Sequence, residues 1–121
     1  MQRTVLLEQH RLIKELAEKS ECVIVGRCAD YILKDYQPFR IFVYADMESK
    51  IIRCRQKTPS DEHLTDRELK RQIALIDKKR ANYYNDYTGQ QWGHKLNYDL
   101  CINTTNTEAV KNFVSMGKNL F

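Results

Sequence analysis

Cys22-Val23-Ile24-Val25-Gly26 is an uncharged run with three consecutive β-branched residues, ended by a glycine. Branching at Cβ favours extended backbone. A run that is apolar at every position, rather than at alternate ones, predicts a strand covered on both faces, as in a parallel sheet. Upstream, Val5, Leu6, Leu7, Leu12, Ile13 and Leu16 recur at three- and four-residue steps, which predicts an amphipathic helix over the first 19 residues, closed at Ser20-Glu21. Downstream, a short helix through Tyr31-Ile32-Leu33 breaks near Tyr36-Gln37-Pro38, and Phe39-Arg40-Ile41-Phe42-Val43-Tyr44 reads as a second strand.

Asp46 is placed to cap the next helix, which carries Ile51, Ile52, Arg53 and Arg55. The polar stretch Lys57-Thr58-Pro59-Ser60-Asp61-Glu62 breaks it, giving a lid-like segment at about 56–66. Thr65-Asp66-Arg67-Glu68 spells a capping box and opens a long helix to about Tyr84. A loop with Gly89 and Gly93 leads to a third strand, Tyr98-Asp99-Leu100-Cys101-Ile102-Asn103. Thr107 then caps a last helix through Ala109, Val110, Phe113 and Val114. The order α-β-α-β-α-α-β-α, with long crossovers between apolar strands, predicts one domain over 1–121, a three-layer α/β/α fold around a parallel sheet.

Composition agrees with this class. The 121 residues are 42% hydrophobic and 30% charged, which excludes wholesale disorder. No apolar run approaches the roughly 20 residues of a membrane span, and no signal peptide opens the chain, so the expectation is a cytoplasmic protein. The net charge of +4 suits a ligand with phosphates but lacks the dense basic stripe of a nucleic-acid binder. Cys22, Cys28, Cys54 and Cys101 form no CxxC pair and His10, His63 and His94 are scattered, so no metal site is expected.

Ligands of open parallel sheets bind beyond the carboxyl ends of the strands. Arg27, just after Gly26, projects there and can fork onto a phosphate; a surface arginine after an ordinary strand end would read the same way. On the long helix, Asp77 and Arg80 are i,i+3 neighbours and Tyr84 continues their face. A carboxylate beside a guanidinium can hold a ribose hydroxyl and a base edge or phosphate, although the same spacing also describes a solvated ion pair. Arg53 and Arg55, at the start of the polar segment, are either phosphate-clamping arginines or solubilising charges. Trp92 and Tyr87, in and beside the glycine loop, point to packing of the loop on the core more than to stacking of a base.

Four pieces together resemble the cytidylate kinase-like family of P-loop nucleoside monophosphate kinases: residues 22–33, residues 40–45, Asp77-Lys78-Lys79-Arg80-Ala81-Asn82-Tyr83-Tyr84-Asn85, and residues 97–103. The resemblance implies that Arg27 contacts the acceptor phosphate, that Asp77 and Arg80 read the nucleoside, and that Arg53 and Arg80 act on the transferred phosphoryl group. Cytidylate kinases carry an aspartate after the first arginine where this chain has Cys28, which leaves Asp30 as the substitute acid. An intact member uses ATP and Mg²⁺, with donor phosphates cradled by Gly-x-x-x-x-Gly-Lys-[Ser/Thr]. None of Gly26, Gly89, Gly93 and Gly117 opens such a motif.

The expectation is therefore a member truncated at the N-terminus or degenerate, with no cofactor of its own. It would retain an acceptor-side site for a nucleoside monophosphate or phosphate anion and be inactive as an isolated chain. A non-catalytic binding or regulatory module on the same fold is the alternative; nucleic acid is a distant third. In the family's sheet order a strand separates residues 22–26 from 40–44. Its loss would leave two unpaired edges, so the chain is expected to pair those strands directly, to form a homo-oligomer through them, or to exchange an element with a neighbour.

Overall fold

The computed structural model describes residues 3–57 and 64–120. Helix α1 spans Arg3–Lys19 and is followed by a stretch without regular structure, then by the one-turn helix α2 (Ala29–Ile32) and a 3-10 turn at Lys34–Tyr36. Strand β1 (Ile41–Tyr44) leads into α3 (Met47–Lys57), and α4 (Asp66–Thr88) follows it. A 3-10 turn at Lys95–Asn97 precedes β2 (Leu100–Asn103), and α5 (Thr107–Leu120) ends the order. The architecture is α/β with a small parallel sheet: β1 pairs with β2 from Ile41↔Leu100 to Tyr44↔Asn103, with α3 and α4 in the crossover.

Local chemistry explains most of the boundaries. Asp46 Oδ1 accepts from the Ser49 amide at 2.8 Å, which caps α3 as expected. The capping box at α4 is complete: Thr65 Oγ1 accepts from Glu68 N and Glu68 Oε2 from Thr65 N, each at 3.2 Å. That helix runs one turn beyond the expected Tyr84, because Thr88 donates its hydroxyl to the Tyr84 carbonyl and Gly89 ends the helix in left-handed backbone, φ 72°. At α5 the cap is Asn106 rather than Thr107. Its Oδ1 accepts from the Ala109 amide at 3.1 Å, so Thr107 is the first helical residue.

The first expected strand is corrected. Residues 21–25 have no regular secondary structure and join no ladder, and the sheet of the described residues has two strands. Only Ile24 packs inward, against the buried cluster of Ile13, Ala29, Ile32 and Leu33; Val23 is 93% exposed and Val25 88%. The reason is a missing neighbour: β propensity makes a segment extended, but a strand exists only where a second backbone accepts its hydrogen bonds. Direct pairing of this run with β1 is overturned as well, since among the described residues β1 pairs with β2 alone.

The Trp92 loop packs on the sheet, as its aromatics imply. Phe42 stands between Trp92 (centroids 5.2 Å apart, edge-on) and Tyr98 (4.9 Å). A Cβ at Gly93, whose φ is 81°, would come within 3.2 Å of the Phe42 ring. Leu69 and Ile73 are the buried apolar anchors of α4, which lies along α3. The lid-like segment falls mostly at 58–63, outside the described residues. No helix of the described residues is long and apolar enough to cross a membrane.

Candidate functional site

The carboxyl ends of the two strands are tied together by the residues that follow them. The Tyr44 carbonyl accepts from Thr104 N at 2.7 Å, and Thr105 Oγ1 accepts from Asp46 N at 2.9 Å. Helix α3 begins over this end, so its first turns place Lys50 and Arg53, three residues apart, near the strand termini. Arg53 Nη1 donates to Thr104 Oγ1 at 3.1 Å, and its Nη2 to the Thr104 carbonyl. The half-buried Arg53 guanidinium is thereby anchored on the loop after β2.

Lys50 is the residue that spacing did not flag. Its Nζ lies 2.7 Å from Asp77 Oδ2, across the α3–α4 contact. The other Asp77 oxygen accepts from Arg80 Nη1 at 3.3 Å. Asp77 is thus held between two cations, with its side chain 24% exposed. The signal for Lys50 lay in its place, one turn into a helix that starts at a strand's carboxyl end.

Arg27 stands on a left-handed turn in which Gly26, Arg27 and Cys28 have φ of 76°, 59° and 55°. Two non-glycine residues in succession there are strained, at a cost on the order of 1 kcal/mol each. Among the described residues the Arg27 guanidinium has no hydrogen-bond or salt-bridge partner. It lies close enough to Tyr83 to act on it: burial raises the Tyr83 hydroxyl's pKa, Cys28 adds to the rise, and the Arg27 charge opposes it. Tyr83 is three residues beyond Arg80 on α4, so the Arg27 charge acts on the same helix that carries the Asp77–Arg80 pair.

Asp30 is engaged elsewhere. Tyr84 donates its hydroxyl to Asp30 Oδ2 at 2.7 Å, with the Gln90 side-chain Oε1 3.0 Å from the same hydroxyl. Burial first, then this bond, pushes the Tyr84 pKa far above its ordinary value. Asp30 thus fastens the turn after Arg27 to α4. The buried Cys28 thiol is raised to about 11, mainly by burial and then by Asp30, so it is an un-ionised packing residue at neutral pH. Arg55 is a stem clip: its Nη2 donates to the Leu64 carbonyl at 2.9 Å and to Asp66 Oδ1 at 2.5 Å, joining the ends of α3 and α4.

A family model described as the cytidylate kinase-like family matches residues 1–106. The chain belongs to the cytidylate kinase-like family. Among solved structures, it is similar to an uncharacterized protein from Eubacterium ventriosum, with a TM-score of 0.78 and 26% identity, over 98% of this chain and 67% of that one. No curated protein matches. The family match ends as α5 begins, so this cytidylate kinase-like chain carries its candidate residues within the matched part.

Proposed function

We propose that this chain carries the acceptor side of a nucleoside monophosphate kinase-type site, binding a monophosphate without transferring phosphate on its own. The observation that supports this reading most is the Arg27 guanidinium, which has no hydrogen bond or salt bridge among the described residues and whose charge acts on Tyr83 of α4, the helix that carries Asp77 and Arg80. A phosphate monoester brings about two negative charges, and a bidentate guanidinium is the strongest neutral-pH receiver for them. Asp77, fixed by Lys50 and Arg80, accepts from a ribose hydroxyl or a base amine, and Arg80 is 65% exposed and available to a ligand. Arg53, anchored on Thr104, supplies positive potential at the strand ends, where phosphoryl groups transfer in parallel-sheet kinases.

In this reading the described residues belong to a three-layer α/β/α P-loop kinase-like domain in which residues 22–26 are a strand of the completed sheet. Transfer needs a cradle for donor phosphates, and these 121 residues contain no Gly-x-x-x-x-Gly-Lys motif. Among the described residues no group of three His, Cys, Asp or Glu side chains is placed to hold a metal ion.

Calorimetry with CMP, dCMP, UMP and ATP tests the reading. A monophosphate is expected to bind and ATP to bind more weakly. Arg27→Ala is expected to weaken monophosphate binding at least tenfold, the loss of one charge-assisted pair. Failure of every nucleotide to bind the folded chain would replace this reading with that of a non-catalytic module.

A further inference from the structure

The turn that carries Arg27 uses backbone that residues with a Cβ avoid, at both Arg27 and Cys28. Such a conformation persists only where its surroundings over-determine it. Within the turn, Ala29 N donates to the Gly26 carbonyl at 3.2 Å, and Tyr31 N and Ile32 N donate to the Cys28 carbonyl at 3.0 Å each. Ala29 and Ile32 are buried beside Ile13 of α1, which holds the turn down by contact area and gives it no direction. Direction comes from the Tyr84 hydroxyl, which reaches Asp30 Oδ2 at 2.7 Å from a helix 54 residues further along the chain.

Tyr84 is 5% exposed, so its one phenolic proton has little water to turn to. A carboxylate accepts more strongly than the Gln90 side-chain oxygen 3.0 Å away, and the proton goes to Asp30. The donor is itself fixed. Thr88 donates its hydroxyl to the Tyr84 carbonyl at 2.7 Å and accepts from Gln90 N at 3.0 Å, which ties this part of α4 to the loop that follows. Tyr84 also stands four residues after Arg80 and seven after Asp77, along the same side of α4. One directional bond therefore sets where the Arg27 turn sits on the helix that carries the Asp77–Arg80 pair.

We propose that the Asp30–Tyr84 hydrogen bond is a positioning latch for the acceptor site. It holds the Arg27 turn at a fixed place on α4, so that the guanidinium for the phosphate and the Asp77–Arg80 pair for the nucleoside meet one nucleoside monophosphate together. The inference rests on the acceptor-side reading above, and it gives Asp30 and Tyr84 no contact with the ligand. A site ordered in advance binds more tightly, because the ligand does not have to order it.

Calorimetry of the full chain with CMP and UMP carries the test. Tyr84→Phe keeps the buried ring and loses the proton; it is expected to weaken binding at least about tenfold. Asp30→Ala should do the same, whereas Asp30→Asn, which keeps an accepting oxygen for Tyr84, should restore affinity to within about threefold of wild type. Hydrogen exchange without ligand reads the latch itself. The Tyr31 and Ile32 amides should lose protection in Tyr84→Phe and Asp30→Ala, while the Leu69 amide, bonded to the Thr65 carbonyl at the start of α4, keeps its own. Unchanged affinity in Tyr84→Phe and Asp30→Ala, an Asp30→Asn variant as weak as Asp30→Ala, or turn amides that stay protected would overturn the latch and leave the acceptor-side reading standing. A folded wild type that binds neither nucleotide overturns that reading, and the latch's role with it, whatever the exchange shows. Should Tyr84→Phe fail to fold, the two variants of the half-buried Asp30 decide the matter alone.

Discussion

Arg27 holds its guanidinium on backbone that glycine would occupy more comfortably. At φ 59° the Cβ crowds the neighbouring carbonyl, and the chain tolerates this twice in a row, at Arg27 and Cys28. Strain and ligand contact make opposite predictions for one substitution. Arg27→Gly is expected to leave stability unchanged or raise it by up to about 1 kcal/mol, read from thermal unfolding, while abolishing monophosphate binding. A loss of stability with binding intact would assign Arg27 to the fold. Two other carboxylates report on pH. The Ser49 side chain and amide hold Asp46 below the ordinary 3.8, and the Arg40 amide, then its guanidinium, do the same for Asp99. A carboxyl whose folded pKa is depressed contributes stability that is full above 3.8 and lost as pH falls through the lowered value. Denaturation between pH 6 and 2 should therefore show wild type falling below about pH 4, with Asp46→Asn and Asp99→Asn starting lower and falling less.

At the scale of elements, α4 carries most of the candidate site, and its register depends on its start. The reciprocal bonds between Thr65 and Glu68 set where the first turn begins, and from there Asp77, Arg80 and Tyr83 follow at helical spacing. Thr65→Ala should cost about 1 kcal/mol in chemical denaturation, with little change at the Lys50–Asp77 pair, whose members lie about twelve or more residues away along the chain. The capping box was legible because both of its bonds are local, made within four residues. The Lys50–Asp77 bridge was not, because it spans two helices and depends on how α3 lies against α4. The strand at 22–26 was misjudged for a related reason: its composition is that of a strand, but pairing is a property of two segments. The extra turn of α4 and the cap at Asn106 were also open to a closer reading, since Thr88-Gly89 and Asn106 each act within one turn.

For the molecule as a whole, family membership and the parallel α/β topology agree, and the solved relative from Eubacterium ventriosum superimposes on 98% of this chain, which covers 67% of that one. With donor-phosphate chemistry assigned to none of these 121 residues, the chain incubated with ATP, Mg²⁺ and CMP or UMP should release no ADP above background. Sustained turnover would show that the donor side is built from residues without the glycine-rich spelling. The same assay on Arg27→Ala would then say whether the acceptor side contributes to it.

Composition, apolar runs and local caps were enough to determine an α/β chain with a long capped helix and a parallel pair of strands. These features depend on interactions within a few residues, which linear order specifies. Only the tertiary structure decided that residues 22–25 lie unpaired, that Asp30 is bonded to Tyr84, that Arg53 is fastened to Thr104, and that Lys50 joins Asp77. Each of those outcomes depends on which distant surface arrives next to a given side chain, and that is fixed by packing rather than by neighbours in the chain.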